Sequence, residues 1–311
     1  MKLKLVKIFT IVFVNLIILG IFLFVFNFYI YYISRADYQY PFSEQFASYM
    51  GFLTRDISKQ NTYKSLISAD DFRPVVNADS KKKPVIIFGC SFAHGSILKN
   101  NQIISYKLGE ATKRPIYNRA KCGWGVQHMY YQLTNEDFYK ILPKPEYIIY
   151  VYMDGHMARI TTPVSIAWPD CYVAFYKKIK DVYILKKRTF FSDKIIIQHF
   201  FNNYFINNYL TKNPDYNRQK EIDVVDYVIA SKKAAEEHWG KDIKFIIFSY
   251  VEFEKETIQY IKDNNIMLFN IDDHNLILDD KKYYLSENDN HPNEKAWDDI
   301  VPILVKKYNM N

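Results

Sequence analysis

The sequence predicts an α/β fold: a three-layer, doubly wound sheet of five mostly parallel strands. Three observations predict it. Short apolar runs rich in β-branched residues recur along the chain, each bounded by polar residues, Gly or Pro. Longer stretches with helical apolar spacing separate them, and strand–helix alternation builds parallel sheets. The runs are apolar throughout rather than at every second position, as in strands covered by helices on both faces.

The elements follow in order. Lys83-Pro84-Val85-Ile86-Ile87-Phe88-Gly89 reads as a buried first strand ending at glycine. Ile103 to Thr112 reads as a helix, and Arg114 to Asn118 as a second short strand. A helix begins over Val126 to Leu133, and Tyr147 to Met153 is a third strand. Residues 160–215 break the rhythm; rich in Tyr, Phe and Lys, they read as a helical and aromatic insertion over the fold. Gln219 to Trp239 is an amphipathic helix. Ile243 to Tyr250 is the fourth strand, Glu254 to Asp263 a helix, and Ile266 to Ile271 the fifth strand. Glu294 to Tyr308 closes the chain as a helix, with Asn293 as its N-cap.

The N-terminus is different in kind. Residues 8–33 contain Asn15 and Asn27 but no charge, and about 20 apolar residues span a bilayer as a helix. Lys2, Lys4 and Lys7 precede the run, which puts residues 1–7 in the cytoplasm and the chain after about Ser34 outside. The run is too long for the apolar core of a cleaved signal peptide and ends in bulky residues, Tyr29 to Ile33. The expected organisation is a tail (1–7), a single-pass transmembrane anchor (8–33), a juxtamembrane stalk (34–80) and an α/β domain (81–311) carrying the 160–215 insertion.

Composition excludes some function classes. At 49% hydrophobic and 24% charged, the chain can bury a core and is not disordered. The net charge of +7 is not gathered into a basic stripe interleaved with aromatics, so no nucleic-acid partner is expected. Cys90, Cys122 and Cys171 form neither a disulfide framework nor a metal signature, although a Cys90–Cys122 bond is conceivable. No metal and no organic cofactor is expected.

Ser91 stands between the first strand and a helix, flanked by Gly89 and Gly95. A serine on such a turn projects its hydroxyl, and the helix start supplies backbone N–H groups that can stabilise an oxyanion. Serine is a weak nucleophile and needs a base. The candidate is His291 in Asn288-Asp289-Asn290-His291-Pro292-Asn293, directly before the last helix, with Asp289 to hold the imidazole in its working tautomer.

Three stretches resemble the SGNH/GDSL hydrolase superfamily over roughly residues 81–311. Val85 to Gly95 resembles its first block, with Cys90 where Asp is more usual. Tyr117 to Gly125 resembles the second, and Asp289 to Asn293 the last. The resemblance implies an SGNH or flavodoxin-like sheet, Ser91 as nucleophile, His291 as base, and the N–H groups of Ser91 and Gly123 as oxyanion donors. Two departures stand out. The family's third block usually carries an Asn donor after the third strand, where this chain has Met153-Asp154-Gly155-His156. His156, helped by Arg159, is the expected substitute. The family often places Asp three residues before His, a position held here by Asn288, with Asp289 two before.

The resemblance implies a serine esterase or O-acyltransferase, with water or a sugar hydroxyl as acceptor, and the apolar run over residues 8–33 makes it membrane-anchored. The expected substrate is an acyl (acetyl) ester, of a cell-surface glycan or a small ester. His94 and Trp124 are further candidates for the pocket lining. Two alternatives stay open: an inactive glycan-binding or envelope scaffold domain of the same fold, and a lipase or thioesterase.

Overall fold

The computed structural model describes residues 9–22, 25, 72–153, 155–161, 176–179, 182–185, 214–271, 273, 281–286 and 289–311. The expected stalk up to residue 71, the aromatic run 29–33, Asp154, Cys171, Asn288 and most of the insertion lie outside the described residues.

Five strands make the central sheet: β1 (Val85–Phe88), β2 (Ile116–Asn118), β3 (Tyr147–Tyr152), β6 (Lys244–Ser249) and β7 (Met267–Asn270). Their order is β2-β1-β3-β6-β7, and every neighbouring pair is parallel. Two antiparallel hairpins stand apart: β4 (Tyr176–Ile179) with β5 (Val182–Leu185), and β8 (Tyr284–Ser286) with β9 (Asp289–Pro292). The β4–β5 hairpin lies inside the 160–215 insertion, which the sequence reads as helical and aromatic.

Among the described residues from 72 onward, the α-helices are α1 (Ser91–His94), α2 (Ile104–Thr112), α3 (Val126–Leu133), α4 (Glu136–Ile141), α5 (Gly155–Thr161), α6 (Pro214–Trp239), α7 (Lys255–Asp263) and α8 (Glu294–Tyr308). Successive strand residues point to opposite faces, and the two cores follow this alternation. On one face Ile86, Phe88, Ile148, Tyr150 and Ile247 meet Val126 and Met129 of α3, Phe138 of α4 and Val224 and Val228 of α6. On the other, Val85, Ile87, Ile149, Val151 and Phe248 meet Leu108 of α2 and Trp297, Ile300 and Leu304 of α8. Burial on both faces is why the strands read as unbroken apolar runs.

Chain direction across the sheet reverses beside β1: β2 lies on one side and β3 on the other. In open parallel sheets a crevice forms at the carboxyl ends of strands at such a switch point. Gly89 leads from β1 into that crevice at φ 153°, and a Cβ there would meet Ala93 Cβ at 3.0 Å and Val151 at 3.1 Å. Only glycine lets the chain turn this tightly between strand and helix.

The folded body starts before residue 81. Val76 and Ile116 exchange backbone hydrogen bonds, adding an antiparallel bridge at the edge of β2. Asn77 Nδ2 donates to the carbonyls of Gly109 (2.8 Å) and Arg114 (3.2 Å). Residues 72–80 therefore belong to the domain and not to a stalk. At the far N-terminus, residues 9–22 are helical with their apolar side chains exposed, Phe9 at 74% and Phe22 at 62%. Among the described residues no helix is long and apolar enough to cross a membrane.

Candidate active site

Ser91 opens α1 immediately past the β1 carboxyl end, with Cys90 in the N-cap position. The first N–H groups of any helix lack intrahelical partners. Gly95 ends α1 in the left-handed conformation at φ 66°, its N–H donating to Ser91 O, and a Cβ there would lie 2.3 Å from Ile103 Cγ2.

His291 arrives from the other end of the chain on β9. Its Nε2 is 2.6 Å from Ser91 Oγ, and its Nδ1 is 2.5 Å from Asp289 Oδ1. The same carboxylate oxygen accepts the His291 backbone N–H at 2.9 Å. One tautomer satisfies both ring contacts: Nδ1–H donates to Asp289, and Nε2 presents its lone pair to the serine hydroxyl. The spacing has a simple cause. Residues i and i+2 of a strand share a face, so Asp289 and His291 point the same way because both lie in β9.

The hairpin is pinned by Asn293. Its side chain caps α8 by accepting Ala296 N–H at 3.1 Å. Its Nδ2 donates to the carbonyls of Lys282 (2.7 Å) and Tyr284 (2.9 Å). Helix α8 is itself seated on the sheet by Trp297, which is fully buried. Phe92 packs against the imidazole of His291 at 4.8 Å between ring centroids, and Tyr250 meets Phe92 edge-on at 5.2 Å.

The loop after β2 forms the opposite wall. The Trp124 N–H donates to Lys121 O at 3.1 Å, closing a turn with Gly123 third at φ 72°. With Cys122 not at positive φ, a positive φ at that place makes the turn type II and favours glycine. Asn118 ties this loop to the nucleophile turn: its Nδ2 donates to Ala93 O at 2.8 Å, and its Oδ1 accepts Ala120 N–H at 3.1 Å. The sequence assigns Asn118 no role; a polar residue closing a short apolar strand is the one signal it offers.

His156 is not where it was expected. It is fully buried, with Nδ1 2.6 Å from Tyr150 Oη and its ring against Tyr150 and Tyr152. Burial, with Arg159 and His128 nearby, holds its pKa well below the ordinary histidine range. His156 thus lies in the core, with Nδ1 engaged by Tyr150 and Nε2 without a hydrogen-bond partner among the described residues. Arg159 instead donates from Nη1 to Trp124 O at 2.5 Å, holding the glycine loop from behind. Met153 Sδ lies 3.7 Å from Cys90 Sγ, so a thioether borders the nucleophile turn on this side.

Cys90 and Cys122 are not joined by a disulfide; the first is buried and the second part-exposed. Cys122 Sγ contacts Ser96 Oγ at 2.7 Å, and Ser96 in turn contacts His94 Nδ1 at 3.2 Å. Burial, then the positive charges of Arg73 and Lys121, push His94 down to about 4. His94 is thus neutral at physiological pH but belongs to a different set of contacts from Ser91. Trp124 is 5% exposed and stacks on His128, which makes it a packing residue more than a pocket wall. Among the described residues no group of three or more His, Cys, Asp or Glu forms a metal site.

Fold and site together define a parallel α/β protein with a Ser–His–Asp relay at the switch point of its sheet. The chain matches no family model and no curated protein sequence. Among solved structures it is similar to a G-D-S-L family protein from Desulfitobacterium hafniense DCB-2, at 14% identity and TM-score 0.40, covering 74% of this chain and 98% of that one. It is also similar to an acetyl xylan esterase, Est2A, from the rumen bacterium Butyrivibrio proteoclasticus, at 13% identity and TM-score 0.43, covering 75% and 66%. A third is the lipase Lip_vut3 from a goat rumen metagenome, at 10% identity and TM-score 0.43, covering 72% and 97%.

Proposed function

We propose that this chain is a serine-dependent ester hydrolase or O-acyltransferase of the SGNH type. The observation that carries the reading is the continuous contact Ser91 Oγ–His291 Nε2–Asp289, at 2.6 and 2.5 Å, across 200 residues of sequence. Ser91 Oγ attacks the acyl carbonyl carbon while His291 Nε2 takes the hydroxyl proton. Asp289 holds the imidazole in position and stabilises the imidazolium that forms. The tetrahedral oxyanion is held by the N–H groups of Ser91 and Gly123. Collapse breaks the ester C–O bond, and His291 returns its proton to the leaving oxygen. Water or a second hydroxyl then attacks the acyl-serine by the same route.

The substrate we favour is an O-acetyl ester on a glycan outside the cell. Its support is the apolar N-terminal segment, which reads as a single-pass anchor over residues 8–33 with the α/β body on the outer side. The deciding experiment is reaction of the full chain with a fluorophosphonate, with Ser91→Ala as control. Ser91-dependent labelling is expected, and acetate release from an O-acetylated polysaccharide should depend on the same residue. Labelling that persists in the alanine variant, or none in the wild type, rejects the reading.

A second reading is favoured by one feature, the thioether of Met153 beside the nucleophile turn. A domain with so little charge stabilisation would bind a glycan without turning it over. In that case Ser91→Ala retains glycan binding and the wild type releases no acetate.

A further inference from the structure

Two side chains N-terminal to the region of resemblance reach both loops that build the crevice. Arg73 surrounds the end of α1. Its Nε donates to His94 O at 3.1 Å, its Nη2 to Leu98 O at 3.1 Å and also to Gly95 O, and its Nη1 to Asn100 Oδ1 at 2.8 Å. Helix α1 is four residues long, and its N-cap makes no side-chain hydrogen bond. A helix this short has almost no internal hydrogen bonding to hold it. Its orientation, and with it the direction of Ser91 Oγ, depends on what grips its C-terminal carbonyls. A guanidinium is suited to that grip because its planar fork offers several donors at fixed angles.

The neighbouring residue grips the other wall. Phe72 meets Trp124 edge-on at 5.8 Å. The Arg119 guanidinium lies 3.5 Å over the Phe72 ring centroid and the Lys121 ammonium 4.7 Å from it. Residues 119, 121 and 124 bracket Gly123, so the Phe72 ring is a common contact for the loop that presents the glycine N–H.

We propose that Phe72 and Arg73 are positioning residues for acyl transfer, with Arg73 aiming the Ser91 turn and Phe72 holding the Gly123 loop at a matching distance. The inference rests on the hydrolase reading above. It also gives the first residues of the α/β body, ahead of the stretch that carries the resemblance, a role in the site.

The test uses the full chain and the variants Arg73→Ala, Arg73→Lys and Phe72→Ala. Readouts are the fluorophosphonate labelling rate at Ser91, kcat and KM on a short-chain ester, and the thermal midpoint. Arg73→Ala should lose about 10- to 100-fold in kcat and labelling rate, because small misplacement of a reacting group costs on this scale. KM should stay within about twofold, since a residue that acts by positioning the Ser91 turn is felt in kcat and not in ester binding. Arg73→Lys should not restore the rate, and millimolar guanidinium should raise the rate of Arg73→Ala but not of Ser91→Ala. Phe72→Ala should lose about fivefold in kcat, a smaller effect than at Arg73 because it acts only through loop contacts. Wild-type labelling rates in Arg73→Lys, or no guanidinium rescue of a folded Arg73→Ala, overturn the inference while leaving the hydrolase reading intact. If Arg73→Ala does not fold, Arg73→Lys decides alone. No labelling of the wild type overturns both.

Discussion

The two walls of the crevice are built to different standards. On the proton-transfer side the polar contacts run in one unbroken line: Ser91 to His291, His291 to Asp289, and the hairpin to α8 through Asn293. On the charge-stabilising side the wall after β3 offers sulfur, with Met153 against Cys90, while His156 is turned into the core. The contrast separates two requirements of acyl transfer that are usually met together. Proton relay needs one line of hydrogen bonds, whereas oxyanion stabilisation needs several donors converging on a point outside the protein.

The largest effects should come from breaking the well-built side. Ser91→Ala and His291→Gln are each expected to lower kcat by on the order of 10⁴-fold or more, with the double variant hardly worse, because the pair acts as a unit. Additive losses in a stopped-flow or burst assay would argue that the two do not work together. Asp289→Asn should keep the fold but cost on the order of 10³- to 10⁴-fold, since the amide favours the wrong imidazole tautomer. An activity within tenfold of wild type would reduce the relay to a dyad.

The weaker wall can be repaired instead. Met153→Asn puts a side-chain N–H donor next to Cys90 and should raise kcat on a simple ester by up to about 10²-fold. No gain, with Ser91 labelling intact, would mean that two backbone donors already suffice. The smallest effect is on stability. His94 has a folded pKa of about 4, below its ordinary value of 6.5, so between these values the unfolded chain binds more protons and stability rises with pH. Acidifying from pH 7 toward 4 should therefore lower the urea midpoint, and His94→Gln should flatten that slope without moving kcat at pH 7.

Most of the fold was legible. The strands at 85–88, 147–152, 244–249 and 267–270 are apolar runs because both faces are covered, and that pattern survives in one dimension. The cap Asn293 was legible because side-chain capping is a local contact. The helices α4 and α5 escaped notice, being too short to show a period. So did both hairpins and the start of the body near residue 72, since edge bridges such as Val76–Ile116 leave no local trace.

For the site, the chain by itself determined the residue types and their order: a serine after a glycine-ended strand, and an acid and a histidine before the last helix. It did not determine how the acid and base face one another. An Asp two residues before His is misplaced on a turn but correctly placed on a strand, and β9 exists only because β8 pairs with it. Nor did it determine where His156 points or what Arg73 holds. Those depend on which groups the folded chain brings within a few ångströms of each other across distant stretches of sequence.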